Sequence, residues 1–281
     1  METINKIKRD RRTEKWMLYS IIIIWVFFAL FAALFDLEIS ILVVNQNSSW
    51  ARFLADYGEI PGYIIIIAAL FIYNRSRLNA DNGFNILLSI LIFLILIWEV
   101  YLVGERILSK YISFKDNLIL IVPIISLCIF YVQKLLGRME INQLRNYDIF
   151  SQITLTLAIL NPFLFVQGAK ILWGRVRFRD LMPDYSNYTP WFLPQGINGN
   201  YSFPSGHSAM GWMLLPIMIL TFKNGRKTQF LFILLIFIWG IFVSLSRIVI
   251  GAHYFSDVLF STGMAMIVYL LLYKRYYDQI Y

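Results

Sequence analysis

Apolar stretches of about twenty residues recur along this chain, and that is the length needed to cross the hydrocarbon core of a bilayer. Candidate spans lie at 17–35, 60–74, 84–103, 117–133, 149–167, 204–222, 229–245 and 257–273. Of the 281 residues, 59% are hydrophobic and only 15% charged, too few polar residues to cover a soluble domain of this size. The expected fold is therefore all-α, a polytopic transmembrane helix bundle of about eight spans. The span at 60–74 is the shortest and begins at Pro61-Gly62. Two connecting segments are long. Residues 36–59 contain "DLEISILVV" and "WARFLADYGEI", expected as short interfacial helices, and residues 168–203 are rich in Gly, Pro, Asn and aromatics. Residues 1–83 then read as a cytoplasmic tail, two candidate spans and an interfacial segment, and residues 84–281 as the helical core.

The net charge of +8 does not point to nucleic acid, because no basic stretch is interleaved with aromatics on a soluble domain. Basic residues flanking apolar spans are instead what membrane topology produces. With the N-terminus in the cytoplasm, the inner segments carry Lys6, Lys8, Arg9, Arg11, Arg12, Lys15, Arg75, Arg77, Lys134, Arg138, Arg145, Lys223, Arg226, Lys227, Lys274 and Arg275. The outer segments carry Arg52, Arg106, Lys110, Lys115, Lys170, Arg175, Arg177, Arg179 and Arg247. The bias places both termini inside. The first span, behind "KIKRDRRTEK", is too long for a signal peptide's apolar region and reads as a retained anchor, with cleavage near "ALFAAL" the lesser alternative. Cys128 is the single cysteine, so no intrachain disulfide is available.

Four of the outer cations crowd into "AKILWGRVRFRD", residues 169–180. Lys170 and Arg177 are seven positions apart and share a face if a helix continues through them; cations snorkelling at the end of a span are the plainer reading. "YSFPSGHSAMG", residues 201–211, then opens the sixth span with Pro204 at the expected first helical position. A helix start offers free N–H groups to an anion. Ser205 adds a hydroxyl, Gly206 lets an oxyanion approach the backbone, and His207 brings a titratable proton. The third element is "SRIVIGAHYFSD", residues 246–257. His253 and Asp257 form an i,i+4 pair, so the carboxylate can hold one ring nitrogen and leave the other as a nucleophile. A snorkelling Arg247 and a structural His–Asp pair are the bland alternative. The topology brings all three elements, with both histidines of the chain, to one membrane face. Two imidazoles, a carboxylate and several cations point to phosphoryl transfer through histidine. They are too few for a closed zinc site.

These residues resemble the type 2 phosphatidic acid phosphatase (PAP2) superfamily, in its integral membrane lipid phosphatase branch. Its pattern is K-x6-R-P, then P-S-G-H, then S-R-x5-H-x3-D. The match runs from Lys170 to Arg177, from Pro204 to His207, and from Ser246-Arg247 through His253 to Asp257. Phe178 departs from the pattern, standing where the proline after the arginine is common, and Val176 replaces another often seen before it. The resemblance implies a six-helix core and a phosphatase that needs neither metal nor other cofactor. By its roles, His253 attacks phosphorus, Asp257 orients it, and His207 protonates the leaving oxygen. Lys170, Arg177, Ser205, Gly206 and Arg247 bind the phosphate oxygens. Ser246 and Arg175 are auxiliaries, Arg175 (with Arg179) for a second phosphate.

The expected partner is a lipid phosphate in the bilayer, of the undecaprenyl diphosphate, phosphatidic acid or phosphatidylglycerol phosphate type. The expected place is the plasma membrane, bacterial by default, with the site on the outer face near Trp173, Trp191 and Phe192. Rival readings are a lipid phosphotransferase using the same histidine, a vanadate-dependent haloperoxidase, which the multiple spans disfavour, and a non-catalytic anion-binding or lipid-binding membrane protein.

Overall fold

The computed structural model describes residues 2–77, 82–109, 112–114, 116–138, 144, 147–221 and 225–280, without the side chains of 2–15 and 277–280. Of the residues weighed for charge bias, Lys110, Lys115, Arg145 and Lys223 lie outside the described residues, as do the side chains of Lys6, Lys8, Arg9, Arg11, Arg12 and Lys15.

The described residues form helices and no strand, as backbone in lipid requires of an open-ended chain. The helices are α1 (Glu2–Val43), α2 (Ser49–Tyr57), α3 (Ile60–Arg77), α4 (Gly83–Leu108), α5 (Leu118–Leu136) and α6 (Asp148–Ala158). A widened π stretch, Ile159–Val166, joins α6 to α7 (Gln167–Trp173). It contains Pro162, which has no N–H to give to the regular ladder. After a long loop come α8 (Gly206–Gly211), a 3₁₀ turn at Trp212–Leu214, α9 (Ile217–Leu220), α10 (Arg226–Val249) and α11 (Phe255–Ile280). Among the described residues, seven segments are long and apolar enough to cross a membrane, and Gly206–Leu220 is a shorter apolar one. The protein is a membrane-integrated helical bundle.

Three boundaries differ from the sequence expectation. "DLEISILVV" is not a separate interfacial helix but the continuation of α1, because no glycine or proline interrupts it. "SWARFLADY" is a separate helix, α2, and it runs almost directly into α3. Together they span Ser49–Arg77, which gives the short second span its length. The third concerns the division at residue 83. Ile66 and Leu70 of α3 share one core with Leu96, Ile129, Ile153, Trp212 and Tyr269, so the first helices are packed into the bundle.

Helices in lipid gain little from hiding apolar surface from one another and associate through close packing at small residues. α1 lies on α11 where Trp25 fills the space over Gly263, and α2 and α8 both pack on α10. At Gly62, at the start of α3, a Cβ would sit 2.4 Å from the Met210 carbonyl oxygen. Only glycine permits that approach, and it fixes the N-terminal end of α3 beside α8. Large apolar side chains elsewhere, Leu42 and Ile119 among them, point outward to the lipid.

Candidate active site

α7 ends at Trp173 because Gly174 takes a left-handed turn (φ +54°). A Cβ there would lie 2.2 Å from the Gly196 carbonyl oxygen, so the same glycine lets the 195–198 strap cross over it. The strap is held by Gln195 N–H to Trp173 O (2.9 Å), Gly196 N–H to Leu172 O (3.1 Å) and Asn198 Nδ2 to Gly174 O (2.7 Å). Lys170 and Arg177 therefore do not share a helix face as expected: Lys170 is on α7, and Arg177 is on extended backbone beyond the turn. They remain within electrostatic reach of each other and of Arg247. Phe178, in place of proline, is buried against Tyr185 and Tyr254 and opens a short 3₁₀ turn. Its ring anchors the loop that a proline would have stiffened.

The second motif's helix begins two residues later than expected. Pro204 precedes the helix, and Ser205 is its N-cap. The Ser205 hydroxyl accepts from Ser208 N–H (3.3 Å) and from the Ser208 hydroxyl (3.0 Å), which commits its lone pairs to the cap. Gly206 faces Lys170: a Cβ at that position would be 3.5 Å from Lys170 Nζ. His207 does not point freely outward. Its Nδ1 lies 2.9 Å from Glu59 Oε1 and its Nε2 lies 3.0 Å from the Ala55 carbonyl oxygen. Glu59 is in turn ion-paired with Arg106 of α4.

The third motif closes the site. α10 ends at Val249, and the Arg247 carbonyl accepts from Ala252 N–H (3.0 Å) and His253 N–H (3.1 Å), which turns the chain sharply into α11. His253 is buried with Nδ1 3.3 Å from Asp257 Oδ2. Burial pushes its imidazole down to about 3, against the pull of the Asp257 hydrogen bond. The ring is therefore neutral at pH 7. Because Asp257 holds Nδ1, the lone pair of a neutral ring sits on Nε2. Three further donors converge on Asp257: the Ser202 hydroxyl (2.5 Å), Tyr254 N–H (3.0 Å) and Arg175 Nη1 (2.7 Å).

Two of the expected auxiliary residues, Arg175 and Ser246, are turned towards protein partners. Arg175 is 1% exposed and most of its donors are taken. Nε donates to Thr189 O (2.8 Å), Nη1 to Asp257 and Ser256 Oγ (both 2.7 Å), and Nη2 to Asp36 (2.7 Å). Its guanidinium also lies 3.9 Å from the centre of the Tyr254 ring. Four of its five N–H donors are thus engaged inside the protein, and it joins two buried carboxylates. The Ser246 hydroxyl donates to Val243 O (2.6 Å) in its own helix and faces no ligand. By contrast, the Nε atoms of Arg177 and Arg247 are buried without a hydrogen-bond partner among the described residues. Unpaired guanidinium N–H groups beside Lys170 suit a tetrahedral oxyanion.

Asp36 of α1 and Glu59, between α2 and α3, were not singled out from the sequence. Asp36 accepts from Arg175 and from Ser256 N–H (2.9 Å) and Oγ (2.5 Å). The signal that marks both is an ionisable residue within an apolar span.

With this geometry in place, comparison with family sequence models finds a match: the model of the PAP2 superfamily matches residues 152–281. Residues 152–281 are similar to the PAP2 superfamily. They contain Lys170, Arg177, the Pro204–His207 motif, Arg247, His253 and Asp257. PAP2 proteins are generally phosphatases acting on phosphate esters. The PAP2 match begins within α6, so Asp36, Glu59 and Arg106 all lie outside it. No curated protein and no solved structure matches the chain.

Proposed function

We propose that this protein is a metal-independent lipid phosphate or diphosphate phosphatase that works through a phosphohistidine at His253. The observation that carries this reading is a buried, neutral His253 held through Nδ1 by Asp257, beside Lys170, Arg177 and Arg247. The neutral Nε2 attacks phosphorus, the leaving oxygen departs with a proton from His207, and water then releases phosphate from His253. Lys170, Arg177 and Arg247 supply the positive charge for the non-bridging oxygens, where charge spreads in the transition state. That is the task a metal performs elsewhere. Gly206 leaves room for an oxygen beside Lys170.

The site lies where α7, α8 and the α10–α11 turn meet, at span ends rather than mid-span. A lipid headgroup reaches such a place while its tail stays in the bilayer. Trp173 and Trp191 support the boundary position: Trp173 Nε1–H donates to Trp191 O, and Trp191 Nε1–H donates to Ala29 O (3.2 Å). Charge bias puts this end on the outer face of the plasma membrane with both termini inside, which favours substrates of the undecaprenyl diphosphate, phosphatidic acid or phosphatidylglycerol phosphate type.

The test is phosphate release by purified protein in detergent with EDTA, across a panel of lipid mono- and diphosphates. Release that survives chelation and vanishes in His253→Ala is expected. Loss of release on chelation would overturn the metal-independent mechanism. Radiolabelled phosphate recovered on an acceptor lipid instead of free would make the protein a phosphotransferase.

A further inference from the structure

His207 is the only motif side chain whose two polar atoms are both engaged from outside the matched region. Nδ1 faces the Glu59 carboxylate at 2.9 Å and Nε2 faces the Ala55 carbonyl at 3.0 Å. Both partners are acceptors. An imidazole between two acceptors satisfies both only when each nitrogen carries a hydrogen. The charged groups facing this ring are Glu59 at the α2–α3 junction, Arg106 of α4 and Arg247 of α10. Burial lowers the proton affinity of the imidazole first, and the two arginines add to that. A cation of the phosphate site thus works against the acid that must protonate the leaving oxygen. Glu59, buried and ion-paired with Arg106, is the one group of opposite sign.

We propose that Glu59 is a positioning residue that keeps His207 protonated and oriented, so that the α2–α3 segment completes the acid half of the active site. The proposal rests on the phosphatase reading above. In the first step the His253 Nε2 lone pair bonds to phosphorus while the bond from phosphorus to the leaving oxygen breaks. That oxygen keeps the electron pair and takes the Nε2 proton of His207, whose Nε2 gives up the Ala55 carbonyl. The Nδ1 proton stays on His207, donated to the Glu59 carboxylate. In the second step water bonds to phosphorus, its proton passes to His207 Nε2, and the phosphorus–nitrogen bond breaks with its pair returning to His253.

The test compares two phosphate monoesters on the full chain in detergent: phosphatidic acid, whose alkoxide leaves badly without a proton, and p-nitrophenyl phosphate, whose phenolate leaves well. Glu59→Gln is expected to lower kcat on phosphatidic acid by about a hundredfold or more, the usual scale of general acid catalysis. On p-nitrophenyl phosphate the loss stays within a few-fold. The alkaline limb of the phosphatidic acid pH profile moves to lower pH, because an acid that binds its proton less tightly loses it sooner. In a His207→Ala background Glu59→Gln costs nothing further.

Equal losses on the two esters, or a further loss in the His207→Ala background, would mean that Glu59 serves only to hold the fold. If Glu59→Gln is not monodisperse, Glu59→Asp retains the charge at a greater distance. A partial loss confined to phosphatidic acid supports the proposal, and a substrate-independent loss overturns it. Wild-type release with an unaffected Glu59→Gln overturns the role of Glu59 alone. No release by the wild-type chain from either ester overturns the phosphatase reading, and the proposal with it.

Discussion

Replacing Arg175 by Met keeps an unbranched side chain of similar reach and removes the charge. In the native structure one guanidinium joins Asp36 and Asp257, both at 2.7 Å, and all three side chains are 0–1% exposed. The substitution leaves two carboxylates buried close together with no cation between them. Breaking one buried pair by removing a partner costs about 3–5 kcal/mol. Here two pairs share the lost partner, and the stranded carboxylates repel. Protonation of one caps the cost, since a buried carboxylate that loses its cation takes up a proton instead. The expected destabilisation is therefore at the upper part of that range, about 4–5 kcal/mol. At roughly 2–4 °C per kcal/mol for a chain of this size, Tm falls by roughly 8–20 °C in a detergent thermal-shift assay. Activity falls with it, because Asp257 loses one of the four donors that orient it behind His253. That loss is the same for lipid mono- and diphosphates. A variant with native Tm and a loss confined to diphosphates would refute this account and return Arg175 to the second-phosphate role expected from sequence.

Two other substitutions separate binding from folding and charge from shape. Gly206→Ala adds a methyl group 3.5 Å from Lys170 Nζ, an ordinary contact, so Tm is expected to stay within a degree or two. The methyl group takes the room meant for a phosphate oxygen, and KM rises about tenfold, equivalent to about 1.4 kcal/mol of lost binding; an unchanged KM would remove Gly206 from the anion site. His253→Asn tests burial of the imidazole. Its folded-state value near 3 lies below the unfolded value of about 6.5, so the unfolded chain binds the extra proton first. The stability contributed by His253 is complete above about pH 6.5 and declines as pH falls towards 3. Wild-type protein should lose more stability than His253→Asn between pH 7 and pH 5, and parallel slopes would mean that His253 is accessible to protons in the fold.

The bundle was legible because a length of about twenty apolar residues leaves backbone few alternatives. The motif residues were legible because chemistry restricts them: few side chains serve as a nucleophile, an acid or an oxyanion ligand. Conformation at the joints was harder. The seven-residue spacing of Lys170 and Arg177 suggested one helix, whereas Gly174 between them ends it. Pro204 was expected inside the first turn and sits before the cap, because Ser205 supplies the side-chain acceptor that a cap needs. The buried ion pairs of Arg175 were hidden for a different reason. Its partners, Asp36 and Asp257, lie 139 positions before it and 82 after it, and no local pattern announces such a pairing. An acidic residue in an apolar helix does announce that something must neutralise it. Applied to Asp36 and Glu59, that rule points to both missed residues, though not to their partners.

The two histidines illustrate how environment assigns different work to the same side chain. Each has a carboxylate, and each carboxylate has an arginine: His253–Asp257–Arg175 and His207–Glu59–Arg106. What differs is the second ring nitrogen. On His253 a single acceptor holds Nδ1, burial keeps the ring neutral, and Nε2 retains its lone pair for attack. On His207 the Ala55 carbonyl faces Nε2 as well, and two acceptors on one ring favour the proton-giving state that the proposed mechanism asks of it. Opposed environments of this kind sort a pair of titratable groups into a nucleophile and an acid. The acceptors on His207 both come from the helices before α4, as does the second carboxylate on Arg175. A chain reduced to residues 152–281 would keep every motif residue and lose Asp36, Glu59 and Arg106. It would then hold an arginine with one of its two carboxylates and a His207 left beside Arg247 without Glu59. The first three helices belong to the active site on electrostatic grounds, whatever else they do in the membrane.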